Sequence, residues 1–171
     1  TALRNVLILE LLFATGMRIS ELCTLTTEQI NFNDYVIKIY GKGSKERLIQ
    51  ICNKNVQKLM DEYRTEFNFE LNNYNYFFIN RLNNRLSEQS VRNMIADYTE
   101  KAKIQLHITP HMFRHSFATL LLEEDVDIRY IQQMLGHSSI TTTQIYTHTS
   151  INKQKDILTV KHPRNKFDIG I

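Results

Sequence analysis

A mainly helical α+β domain, with a small antiparallel sheet or hairpin set among the helices, is what this sequence predicts. Three observations carry it. Apolar residues recur at helical spacing over most of the chain, residues 34–52 switch to a period of two, and helix start and stop signals bracket the helical stretches.

The elements follow in order. Residues 2–14, ALRNVLILELLFA, are apolar almost all round, which predicts a buried helix ended by Thr15-Gly16. RISELCTL, residues 18–25, starts a second helix with Arg18 at the junction, where a long side chain can be aimed rather than left in solvent. In DYVIKIYGKGSKERLIQIC, residues 34–52, YVIKIY and RLIQIC alternate and are rich in β-branched and aromatic residues. GKGSK between them is a turn signal, so a β-hairpin with Lys42 near its tip is expected. Residues 54–67 return to helical spacing, and NNYNYFFIN, residues 72–80, is expected as an aromatic short strand or loop. Ser87 or Ser90 caps a helix over 87–103. Thr109 at the cap and Pro110 at the first helical position start another over 109–123. Asp127 opens the next, which Gly136 stops in the left-handed cap geometry. A short helix then carries Tyr146, and 150–160 can form a last one. The end, KHPRNKFDIGI over 161–171, is broken by Pro163 and is expected to be a loose or docking tail.

Composition narrows the class. A chain of 171 residues and 20.2 kDa suits one domain with a proper core. Its 42% hydrophobic and 23% charged residues are ordinary for a soluble globular protein. No apolar run reaches the ~18 residues needed to span a membrane, and no secretory signal layout opens the chain. The first residue is threonine rather than methionine, which leads us to expect a domain cut from a longer protein. Cys23 and Cys52 lack metal-site spacing and are expected as buried free thiols, in keeping with a reducing cytoplasm. A net charge of +3 is compatible with a nucleic-acid partner but does not by itself separate one from any other.

The chemistry concentrates in a few places. His111 and Arg114 share one face near a helix N-terminus, where free N–H groups and the dipole already favour an anion. A partly exposed polar face is the plain alternative for that helix taken alone. His111 and His115 also have a metal-ligand spacing, yet the zincin motif needs a glutamate where Met112 stands, and no cysteine or carboxylate cluster completes a site. His115 is therefore expected to pack or hydrogen-bond inside the helix bundle. GKGSK lacks the spacing of a Walker A loop, so ATP use has no support. QQMLGHSSITTTQIYTH, residues 132–148, places many hydroxyls beside His137 and Tyr146. A lone tyrosine there would be a packed aromatic with a wet tip.

Arg18, Lys42, His111, Arg114, His137 and Tyr146 together form a metal-free phosphoryl-transfer kit. Two arginines can clamp the non-bridging oxygens of one phosphate, where fixed cations are worth several kcal/mol as charge develops. Tyrosine is a poor nucleophile near neutral pH until cations and a histidine base lower its barrier. A lysine can protonate the leaving oxygen.

Four blocks make the set recognisable. ATGMRISEL, GKGSKERLIQI, TPHMFRHSFAT and LGHSSITTTQIYTH stand in order, and the chain over residues 5–158 resembles the catalytic domain of the tyrosine recombinases of the phage-integrase family, in wording nearest the Xer and conjugative-transposon integrase branch. The separations of His111 and His137 from Tyr146 are those typical of the family. Phe113 departs from a more usual leucine, a packing change.

The resemblance implies that Tyr146 attacks a DNA phosphate, leaving a 3′-phosphotyrosyl link and a free 5′-hydroxyl. It implies that Arg18 and Arg114 hold the phosphate and that His111 is a general base or phosphate ligand. Lys42, with Lys45 as a rival, would be the general acid, and His137 would hydrogen-bond the phosphate. Glu21 would orient its neighbours, while Arg47, Arg81 and Arg85 would be solvated or phosphate-contacting. No metal, ATP or other cofactor is implied. The implied partners are a double-stranded DNA recombination site and further subunits, in a homo- or hetero-tetramer joined through residues 150–171. The implied organisation is a catalytic domain over 1–160, a tail over 161–171 with a possible trans-docking role, and an N-terminal DNA-clamping domain outside this chain. Two other functions stay open: type IB topoisomerase-like DNA relaxation, which the Xer-like wording of the blocks argues against, and a non-catalytic DNA-binding relative, which should have lost a member of the set.

Overall fold

The computed structural model describes residues 2–41, 46–136 and 148–167, with the side chains of 148–150 excepted. The described chain is mainly helical around a three-stranded antiparallel sheet, as expected. Helix α1 (Ala2–Thr15) is followed after a tight turn by α2 (Ile19–Thr24). The strands are β1 (Ile30–Asn31), β2 (Val36–Tyr40) and β3 (Glu46–Gln50), in spatial order β1-β2-β3. The helices α3 (Lys54–Glu66), α4 (Asn68–Asn73), α5 (Glu88–Lys101), α6 (Pro110–Glu123), α7 (Ile128–Leu135) and α8 (His148–Lys161) follow, and a 3-10 turn at Pro163–Lys166 closes the described chain.

Local chemistry explains the boundaries. The Ser87 hydroxyl accepts from the Ser90 N–H at the start of α5. The Asp127 carboxylate accepts from the Arg129 N–H at the start of α7, and each such cap satisfies an otherwise orphaned donor. Thr109 and Pro110 occupy the cap and first position of α6. Gly136 ends α7 at φ 68°, the left-handed conformation that glycine adopts without a Cβ penalty.

The expected hairpin forms, with Ile37 opposite Ile49 and Ile39 opposite Arg47. Two features depart from the expectation. A third strand, β1, joins it, pairing Ile30 with Ile37. The aromatic stretch over 72–80 is neither a full strand nor a plain loop: α4 takes its start, and Tyr76 and Ile79 make isolated bridges to Thr26 and Arg85. Lys42 and the residues around it, and the short helix expected to carry Tyr146, lie outside the described residues.

Two apolar cores result. The larger packs α1, α2, the sheet, α3 and α5 around Leu7, Leu11, Ile37, Ile49, Met60, Tyr63 and Phe77. The smaller gathers Phe117, Leu121, Ile131, Met134, Leu135 and Leu158 from α6, α7 and α8. Cys23 is buried as expected, whereas Cys52 is only partly covered. The tail packs onto its own chain through Phe167. His162 Nε2–H donates to the Ala14 carbonyl at 2.8 Å, its Nδ1 accepts from the Arg164 N–H at 2.9 Å, and Arg164 Nε donates to Glu10 Oε2 at 2.7 Å. Phe167 meets Phe13 edge to face. No helix among the described residues is long and apolar enough to cross a membrane.

Candidate active site

Arg18 stands at the α1–α2 junction because the chain reverses sharply there. Gly16 takes φ 61°, and the Met17 N–H is held by the Thr15 hydroxyl at 3.1 Å. A Cβ at Gly16 would lie 2.7 Å from Phe117 Cδ1 and 2.8 Å from Leu135 Cδ2, so this turn touches the smaller core directly. Arg18 then caps α2. Its N–H donates to Glu21 Oε2 at 2.7 Å and its Nη1 to Glu21 Oε1 at 3.0 Å, while the side chain stays substantially exposed.

Arg114 comes from α6, on the stripe shared with Phe117 and Leu121 that turns inward. It is 8% exposed. Its Nη1 donates to the Gly16 carbonyl at 2.8 Å and its Nη2 to the Leu135 carbonyl at 2.7 Å. Among the described residues no carboxylate forms an ion pair with it. Burial first, then the charges of Arg18 and Arg47, push its pKa down to about 10, with Glu21 opposing. The guanidinium stays charged at neutral pH, buried and held by carbonyl dipoles. A buried charge without an ionic partner gains most from acquiring one, so the chemistry of this position suits an anion.

His111 lies exposed one helical turn before Arg114, on the first turn of α6. The structure therefore brings Arg18 and Arg114 together through Gly16 and places His111 on the same helix end as Arg114. Lys42, His137 and Tyr146 lie outside the described residues. Their described chain neighbours are the ends of β2 and β3 for Lys42, the C-terminus of α7 for His137, and the start of α8 for Tyr146. No group of three or more His, Cys, Asp or Glu among the described residues could hold a metal ion.

Two sequence expectations are corrected. His115 is exposed rather than inside the bundle, with a long 3.5 Å contact to the Thr119 hydroxyl. It follows Arg114 by one residue, a rotation of about 100° around the helix, which carries it off the buried stripe. Arg47 is neither solvated nor exposed to a phosphate: its side chain is 3% exposed. Its Nη1 and Nη2 donate to the two Glu21 oxygens at 2.8 and 2.7 Å, and its Nε donates to the Met134 carbonyl at 2.9 Å. Burial alone would push the Glu21 carboxyl up. The hydrogen bonds and charge of Arg47, then those of Arg18, outweigh it and hold the carboxyl below its ordinary value. The period-two phase was the available signal, because Ile37, Ile39 and Ile49 point inward and Arg47 shares the phase of Ile49. Arg81 and Arg85 are exposed, as expected.

Comparison with known proteins places the chain as a whole. Residues 1–153 match the family model described as the phage integrase family. A curated protein named tyrosine recombinase from Agathobacter rectalis is 60% identical over 166 residues, covering 97% of this chain and 54% of its own length. The crystal structure of XerA recombinase superposes with a TM-score of 0.72 at 32% identity, covering 90% of this chain and 57% of that one. The structure of XerH site-specific recombinase bound to difH substrate, a pre-cleavage complex, gives 0.70 at 27% identity, covering 96% and 44%. The chain thus spans about half the length of the relatives it matches. With the family model matched over residues 1–153 and a relative 60% identical over nearly the whole sequence, the chain belongs to the phage integrase family of tyrosine recombinases.

Proposed function

We propose that this chain is the catalytic domain of a site-specific DNA recombinase that cuts and rejoins strands through a covalent 3′-phosphotyrosyl intermediate. The observation that supports this most is Arg114, a buried guanidinium bound only to main-chain carbonyls among the described residues and joined through Gly16 to Arg18. Two arginines near enough to feel each other's charge suit the non-bridging oxygens of a phosphodiester, whose charge grows in the transition state.

In this proposal the Tyr146 oxygen forms a bond to phosphorus and the bond to the 5′-oxygen breaks. Lys42 gives a proton to that oxygen. His111 takes the tyrosyl proton or binds the phosphate, and His137 donates a hydrogen bond to it. Arg18 and Arg114 hold the phosphate throughout. Attack of a 5′-hydroxyl on the phosphotyrosine reverses the step, so one phosphodiester is exchanged for another and neither ATP nor a metal enters the balance. The relative captured with its difH substrate supports DNA as the partner.

The test uses the full-length protein and duplexes that it selects from a random-sequence pool, nicked near the cleavage position so that the released strand is lost. The native protein should accumulate a covalent adduct and Tyr146→Phe should not. An adduct that survives the substitution removes Tyr146 as the nucleophile. Assembly of several subunits on DNA through the C-terminal segment is part of the same proposal. Since 151–167 packs on its own chain, truncation after Phe167 is the clean test. Unchanged assembly would exclude the final residues from that role.

A further inference from the structure

We propose that Arg47 is a positioning residue for the phosphate clamp, acting through Glu21 on Arg18 and through Met134 on the end of α7; this rests on the recombinase reading above. The case begins with how much one side chain joins. Its two terminal nitrogens each donate to a different Glu21 oxygen, and those oxygens also accept the Arg18 N–H and the Arg18 Nη1. Glu21 is therefore a shared acceptor, and Arg47 occupies its inner side while Arg18 occupies its outer side. With the inner side held by a bidentate partner, the carboxylate has one orientation left, and so does the Arg18 head that it steers.

The third donor reaches another element. Arg47 Nε binds the Met134 carbonyl, one residue before the Leu135 carbonyl that binds Arg114. Both arginines thus hold the last turn of α7, where free carbonyls would otherwise lack partners. The approach is close: a Cβ on Gly136 would lie 3.1 Å from both Cδ and Nη1 of Arg47, so a side chain there would push the guanidinium aside. Arg47 also sits opposite Ile39, one pair from the Tyr40–Glu46 end of the β2–β3 pair, where the sequence joins the two strands.

The elements that Arg47 ties together are those that lead to the candidate groups. Arg18 caps α2, Lys42 falls in the sequence joining β2 to β3, and His137 follows Gly136. Neither the phosphate nor any reacting atom needs to touch Arg47. Its side chain is 3% exposed and each of its three nitrogens binds Glu21 or Met134, so its effect on the reaction passes through its neighbours.

The experiment separates a positioning role from a purely structural one by removing the charge that the clamp reads. Arg47→Lys keeps the positive charge but cannot serve both Glu21 oxygens and Met134 at once. Native and Arg47→Lys full-length proteins are compared on a selected duplex with either an ordinary scissile phosphate or a neutral methylphosphonate at that position. On the phosphate, adduct formation should slow by about tenfold or more with duplex affinity within about threefold, the pattern of an interaction felt in the transition state. On the methylphosphonate, which needs no aligned clamp, the two proteins should react at similar rates. An equal defect on both duplexes, or none on the phosphate, overturns the inference while leaving the recombinase reading intact. Absence of an adduct with the native protein overturns both. Should Arg47→Lys fail to fold, Glu21→Gln, which keeps the shape of the acceptor, is carried through the same two duplexes with the same expected and overturning results.

Discussion

Acidification to about pH 5 should loosen the docked C-terminal segment through one histidine, His162. The ring is 4% exposed, between the edges of Phe13 and Phe117. Its Nε2–H donates to Ala14, and its Nδ1 accepts from the Arg164 N–H. A second proton could go only to Nδ1, setting two donors face to face. Burial, and then the charge of Arg164, lower its pKa from 6.5 to about 4 against the pull of the Ala14 carbonyl. Above the unfolded value the ring is neutral in both states and its contribution is complete. As pH falls below that value the unfolded chain takes the proton first, and the loss accumulates until the folded value near 4 is passed. The whole shift corresponds to about 3 kcal/mol, of which about 2 kcal/mol should be lost between pH 7.5 and 5. Glu21 and Asp127, whose carboxyls are held below their ordinary values, stay ionised in that window. Urea unfolding at the two pH values measures the loss, and His162→Asn, which keeps an acceptor for the Arg164 N–H without titrating, should show about 2 kcal/mol less of it. An identical loss in the variant would refute the reasoning.

Two further outcomes follow from packing. Gly16→Ala should lower stability by about 2–4 kcal/mol, because it combines a left-handed φ with overlap against Phe117 and Leu135; a melting temperature equal to that of the native protein would contradict this. Arg164→Met should lower stability by about 3–5 kcal/mol by leaving the buried Glu10 carboxylate without its partner. Adding Glu10→Leu should recover most of that loss, and a double variant no more stable than the single one would show that the loss is not electrostatic.

Much of the fold was legible because it rests on local rules. Ser87, Thr109-Pro110, Asp127 and Gly136 each mark a helix end by chemistry that needs no tertiary context. Strand β1 was not, since two residues carry no periodicity and its pairing with β2 is set by the turn between them. The start of the 72–80 stretch became helix because α4 continues from α3 through Phe67, against an asparagine-rich sequence of weak helix propensity. At the candidate site, Arg18, His111 and Arg114 were singled out from residue type and position, yet neither spacing nor type indicated that Arg114 would be held, among the described residues, by main-chain carbonyls. Arg47 was missed because its charge argued for solvent. Only its strand phase argued for burial, and a bidentate carboxylate made that phase tolerable.

Gly16 carries a consequence beyond its own turn. It is where the two cores meet, and its carbonyl is one of the two that hold Arg114 while Arg18 lies two residues on. The missing methyl group therefore acts as a spacer gauge, fixing the gap between two separately packed halves and with it the separation of the two arginines. On the proposed recombinase reading, substitutions in either core would detune the arginine clamp by changing that gap well before they cost the chain its fold.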